Sequence, residues 1–173
     1  MKGTKSPFAR SKCVDGMVYA IPLVDGSYCY AQALSSSMSV VVNLAVFKIR
    51  TNTLLSLPPD MHKSDVIAFT ATWRRSLNRG DWAALGVHNL IIEPTIHPNQ
   101  MLEDSNGVGV KHCDAGLIVS FLKAWFGLEP WNVWHDEQYF DKLLAPGIAR
   151  PSTAVVLSKE DRDTYRTPEW LKS

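Results

Sequence analysis

The 173-residue chain predicts an α+β fold: a curled antiparallel β-sheet or partial barrel in the N-terminal half, with two or three helices in the C-terminal half. Two observations predict it. Between residues 17 and 92, apolar residues recur at period two in five runs separated by short turn signals, as in consecutive antiparallel strands. After residue 114 the spacing becomes helical, following a stretch rich in Pro, Asn, Asp and Gly that reads as irregular. Length and composition suit a single domain over 1–173, with a flexible arm at 1–14, a β-rich part at 15–92, and a loop, helices and a last strand at 93–173.

The first strand is Met17 to Leu23, in which Met17, Tyr19, Ile21 and Leu23 alternate with Val18, Ala20 and Pro22. Pro22 cannot donate to a ladder, so this strand needs a free edge there. Asp25-Gly26 supplies the positive φ of a type I′ hairpin turn, which predicts a return strand over Tyr28 to Leu34. Met38 to Ile49 is apolar on both faces and suits a doubly covered central strand. Ile67, Phe69, Ala71 and Trp73 face one way and Thr70 and Thr72 the other, which predicts a half-exposed strand. A turn through Asn78, Arg79 and Gly80 then returns the chain as a strand over Trp82 to Ile92, with Gly86 at a kink or bulge. Asp114 offers an N-cap to a helix carrying Leu117, Ile118, Phe121, Leu122 and Trp125, and Gly127 stops it. A shorter helix is predicted from Asp136 to Leu144, a last strand at 152–157, and a charged helical turn from Ser158.

The net charge of +1 hides a segregation along the chain: residues 1–92 carry +5, residues 93–141 carry −6 and residues 142–173 carry +2. An acidic middle is either a solvated face or a surface for a basic partner. No run of about 18 apolar residues exists to span a membrane. The basic start, MKGTKSPFARSK, lacks the apolar core of a secretory signal. Cys13, Cys29 and Cys113 show no paired spacing, which fits a reducing cytoplasm better than a disulfide framework.

The chemistry-bearing signals are sparse. Lys111-His112-Cys113-Asp114 could hold an activated thiol beside a helix start, but adjacent residues of an extended segment point apart, and a capped helix start is the better explanation of them. His135-Asp136-Glu137 lacks a spacing that gathers metal ligands on one face, and no phosphate loop, dinucleotide fingerprint or G-x-S-x-G is present. The sequence therefore predicts no enzyme, no metal and no cofactor. Trp73, Arg74, Arg75, Arg79 and Trp82 form a basic, aromatic hairpin end that could hold phosphates while bases stack, or could simply protect a sheet edge.

Two stretches carry a family resemblance. Val18 to Leu23, Asp25-Gly26 and Ser27 to Leu34 resemble the opening hairpin of the immunity protein 26 family, with its apolar strand ending in I-P-L, its D-G turn and its aromatic return strand. Ile67-Ala68-Phe69 and Gly80-Asp81-Trp82 through Gly86 resemble that family's later strand and G-x-W segment. The resemblance spans residues 16–92, with Ala31 and Gln32 standing where the family usually has Gly and Arg. It implies a bacterial protein that binds and neutralises a cognate protein toxin by occlusion, without catalysis. Its motif residues are of types that build a hairpin and core, so the contact residues are expected in the acidic segment: Glu103, Asp104, Trp131, Trp134, Asp136, Glu137 and Asp141. The alternative is a nucleic-acid-binding β module using the basic hairpin.

Overall fold

The computed structural model describes residues 7–35, 37–105 and 109–166. It is an α+β fold whose N-terminal half holds one open, five-stranded antiparallel sheet in the order β4-β3-β2-β1-β5. The strands are β1 (Met17–Pro22), β2 (Tyr28–Ser35), β3 (Val41–Thr51), β4 (Val66–Trp73) and β5 (Ala83–Val87). Three helices join them: α1 (Arg74–Arg79), α2 (Ala115–Trp125) and α3 (Lys159–Arg166). The chain divides into two compact units, Met1–Val119 and Ser120–Ser173.

In the first unit, β1 and β2 form the hairpin that the alternation and Asp25-Gly26 predict, with Ala20 opposite Tyr30 and Pro22 opposite Tyr28. The turn itself differs. Gly26 N–H donates to Leu23 C=O at 3.1 Å and Leu23 N–H to Ser27 C=O at 2.8 Å, which makes a three-residue loop, Val24 to Gly26. Gly26 is left-handed at φ +83°, the position that such a loop reserves for glycine, in place of the two-residue type I′ turn. Asp25 reinforces it by accepting from the Ser27 N–H and hydroxyl. β1 pairs with β5 only over Met17 to Ala20, so Pro22 does lie where its edge is free.

Burial in the sheet centre is two-sided. β1 and β2, not only β3, are covered on both faces, because the residues alternating with the large ones are small: Ala20, Ala31, Ala33 and Cys29 are all fully buried. Register shifts interrupt the β1–β5, β2–β3 and β3–β4 ladders, including one beside Gly86, and such bulges increase local twist and curl the sheet. β4 was expected to be half exposed, but Thr72 is fully buried and Thr70 nearly so. The segment after β5 covers them: His97 Nε2 lies 2.8 Å from Thr70 C=O, Cys113 N–H donates to Ala71 C=O at 2.7 Å, and the Thr72 hydroxyl donates to Cys113 C=O. His97 Nδ1 accepts from Asn99 N–H, so its proton sits on Nε2 and the bond to Thr70 runs from imidazole to carbonyl. This cover masks an edge strand that would otherwise present open backbone groups.

The connection from β4 to β5 overturns the second predicted hairpin. β5 pairs with β1 at the opposite edge from β4, and residues 74–79 are a short helix. Gly80 was expected in a turn; it is the left-handed C-cap of α1 at φ +89°, with its N–H on Leu77 C=O and the Asp81 N–H on Ser76 C=O. The N-terminal arm was expected to be flexible, yet its described part docks: Phe8 N–H donates to Gly80 C=O, Ser11 N–H to Asn78 C=O, and Cys13 N–H to the Asn78 side chain at 2.8 Å. α2 starts as predicted, with the Asp114 carboxylate accepting the Gly116 N–H at 2.8 Å.

The second unit packs around a cluster of rings. Phe121, Trp131 and Phe140 meet with centroids 5.5–5.7 Å apart, and all three are buried. The helix predicted from Asp136 to Leu144 is a series of turns ending in a single 3-10 turn, Asp141–Leu143. The strand predicted at 152–157 reduces to one bridge, Pro130 with Val155. α3 begins as expected, capped by the Ser158 hydroxyl on the Asp161 N–H.

Candidate functional site

The contact residues predicted from the acidic segment do not form a free acidic face. The side chains of Glu103 and Asp104 lie outside the described residues. Each of the other carboxylates has a basic partner within the second unit. Lys142 pairs with Asp136, and Arg162 with Glu137. Asp141 takes two nitrogens of Arg150, at 2.6 and 3.1 Å, and also accepts from Trp131 Nε1 at 3.2 Å. The Lys142 ammonium and the Gln138 N–H hold the Asp136 carboxyl below the usual carboxylate range. Trp131 has no exposed surface and cannot be a contact anchor as it stands. Trp134 remains 38% exposed while packing on Tyr139 and Phe140.

The thiol cluster also separates. Cys113 is buried, whereas His112 is exposed and stands edge-on to Trp73, centroids 4.2 Å apart. Burial pushes the Cys29 thiol up to about 12 and raises Cys13 as well, the opposite of an activated nucleophile. Among the described residues, no three His, Cys, Asp or Glu side chains gather as a metal site. No helix among them is long and apolar enough to cross a membrane.

The surface with concentrated chemistry is an open groove of about 1060 Å³ in the first unit. Four segments build it: the arm supplies Arg10, the end of the β2–β3 connection supplies Ser39 and Val40, the β4–α1 corner supplies Trp73, Arg74, Arg75 and Arg79, and the start of α2 supplies Asp114. The four guanidiniums have different duties. Arg74 is a structural clamp, donating to the carbonyls of Met38, Ser39 and Cys13 and so tying the connection and the arm to the corner. Arg79 is held by a two-pronged pair with Asp81 at 2.6 and 2.9 Å. Arg10 and Arg75 are exposed and have no ion-pair partner among the described residues. Asp114 is a carboxylate on the lining, and its Oδ1 is engaged by the Gly116 N–H.

Trp73 gives the groove its aromatic surface. It is 37% exposed although His112 packs against it, and Val40 beside it is 56% exposed. Trp82, read from the sequence as part of the same basic and aromatic cluster, is core: it is 2% exposed and packs edge-on to Tyr19 at 6.3 Å. The sequence placed Trp73, Arg74, Arg75 and Arg79 correctly in one cluster but missed Arg10. Its separation from α1 by more than sixty residues hides the pairing, and only the docked arm reveals it. No family model, curated protein or solved structure matches the chain.

Proposed function

We propose that the chain works by binding and not by catalysis, as an immunity protein that neutralises a cognate bacterial toxin in the cytoplasm by occluding its working surface. The resemblance supplies the partner class. Of the two stretches that carry it, the segment ending at Gly86 lies beside the opening hairpin, since β5 pairs with β1, whereas Ile67 to Phe69 lie in β4 at the other edge of the sheet. Ile21, Leu23 and Trp82 are buried there and serve as scaffold. The observation that carries the reading is the groove: an exposed Trp73 flanked by Arg10 and Arg75, the side-chain types that dominate interface energies. The contact surface assigned from the sequence therefore moves from the acidic segment to the first unit, because paired carboxylates project little field toward a basic partner.

The test has two stages. On this reading the gene lies directly downstream of one for a large secreted toxin. Expressing that toxin domain kills the host cell, and co-expressing the chain restores growth. Arg10→Glu together with Arg75→Glu abolishes rescue while the variant remains folded. Absence of rescue by the parent chain rules out the immunity reading; full rescue by the double variant returns the contact surface to another face.

A further inference from the structure

We infer that the groove of the first unit is a channel for single-stranded nucleic acid, with backbone phosphates on Arg10 and Arg75 and an unpaired base on Trp73. This goes beyond the toxin reading and does not depend on it. A guanidinium presents a planar fork of donors that matches a phosphate's oxygens, and it keeps its charge at any pH a protein survives. Arg10 and Arg75 lie on opposite constructions, the docked arm and α1, yet line the same groove without a carboxylate partner among the described residues. Their placement is fixed from below. Arg74 bonds the carbonyls of Met38, Ser39 and Cys13, and Asn78 holds the arm through Cys13 N–H and Ser11 N–H. The bracing fixes the backbone that carries the two cations, so binding has to order only their side chains.

Charge alone would suit any polyanion, including an acidic protein segment. The aromatic ring adds a second requirement. An indole can anchor a protein, but every nucleobase has a π-face, and stacking on Trp beside cations is how single strands are held without sequence preference. A duplex keeps its bases stacked on one another and leaves none free for Trp73, so the single strand is favoured. Val40, exposed on the lining, extends the apolar side of the channel.

The test is fluorescence anisotropy of the full chain with fluorescein-labelled oligo(dT) and oligo(rU), a labelled abasic strand and a labelled Glu-rich peptide, titrated between ~20 and ~200 mM salt. Saturable binding of the oligonucleotides is expected, weakening as salt rises with a log–log slope of about −0.7 for each phosphate contact. Arg75→Glu, an exposed position where folding is not at stake, should weaken binding and make the slope shallower by about that amount. Trp73→Ala should weaken binding about five- to hundredfold without changing the slope. Lys159→Glu, in the second unit, should change neither. Failure of either oligonucleotide to saturate at low salt would overturn the inference, as would parental affinity in Arg75→Glu. Equal affinity for the abasic strand would remove the base from the channel and overturn it too, and tighter binding of the Glu-rich peptide would assign the groove to an acidic protein instead. Loss of toxin rescue with oligonucleotide binding intact, or the reverse, separates this inference from the immunity reading.

Discussion

Gly80 and Gly26 are both left-handed, at φ +89° and +83°, but only one of them has a neighbour. A Cβ on Gly26 would meet nothing within 4 Å, whereas a Cβ on Gly80 would lie 2.4 Å from Phe8 O and 2.8 Å from Ala9 O. Gly26→Ala therefore costs only the backbone strain of an L-residue in the left-handed region, about 1–2 kcal/mol. Gly80→Ala carries the same strain and must also displace the arm. That removes the Phe8 and Ser11 amide bonds, both 3.3 Å, and the Cys13 amide bond to Asn78 at 2.8 Å. With each worth about 0.5–1.5 kcal/mol, partial loss makes Gly80→Ala roughly 1–3 kcal/mol more destabilising than Gly26→Ala. Urea denaturation of the two variants measures the difference, and hydrogen exchange at Phe8, Ser11 and Cys13 shows its origin. Equal stability of the two variants, or unchanged arm exchange in Gly80→Ala, would refute the docked arm and with it Arg10's place in the groove.

Other outcomes follow from burial. Trp131→Ala should cost about 3–5 kcal/mol in thermal or chemical melts because it empties the ring cluster of the second unit; Trp134→Ala, partly exposed, should cost about 1 kcal/mol. The native chain should resist a thiol reagent at neutral pH and react only on unfolding, since all three cysteines are free and buried. Stability should fall as pH rises from 9 toward 12: the unfolded Cys29 thiol ionises near 9.0, the folded one only near 12, so the unfolded state holds fewer protons in that window. Cys29→Ala should flatten the start of that decline. Cys113→Ser should leave oligonucleotide binding and toxin rescue unchanged, because the thiol is buried and is not part of the groove's lining; loss of either in a folded variant would revive a catalytic role.

The first hairpin was legible because its turn and its alternation agree. Asp25-Gly26 demands a reversal just where the large residues of β1 and β2 fall into register. The path from β4 to β5 was not, since a left-handed glycine serves equally as a hairpin turn and as a helix C-cap, and strand periodicity carries no information about which strand is the neighbour. The helix expected at Asp136 opens as α2 does, with the Asp carboxylate on the N–H two residues on, but it does not propagate. Tyr139, Phe140, Leu143 and Leu144 do have helical spacing, yet Tyr139 N–H bonds Asp136 C=O and Leu143 N–H bonds Phe140 C=O three residues back, so the segment stays a series of tight turns. The pairing within the acidic segment was not legible, because charge sums along a sequence ignore who pairs with whom. Lys142, Arg150 and Arg162 all come from the following segment and sit against Asp136, Asp141 and Glu137. The cluster at Trp73 to Arg79 was visible as composition, and the structure divides it into Arg74 and Arg79, which are engaged, and Arg75, which has no ion-pair partner among the described residues.

The rate of association with the cognate toxin tests the central claim most directly, with charge reversals compared at the two surfaces. Arg10→Glu with Arg75→Glu should slow association markedly at low salt and flatten its salt dependence, because unpaired surface charges steer encounter. Asp136→Lys with Glu137→Lys should leave the association rate nearly unchanged, since those carboxylates are already matched by Lys142 and Arg162. The opposite pattern, with the groove variant associating at the parental rate and the carboxylate variant slowed, would contradict the account and restore the acidic segment as the working surface.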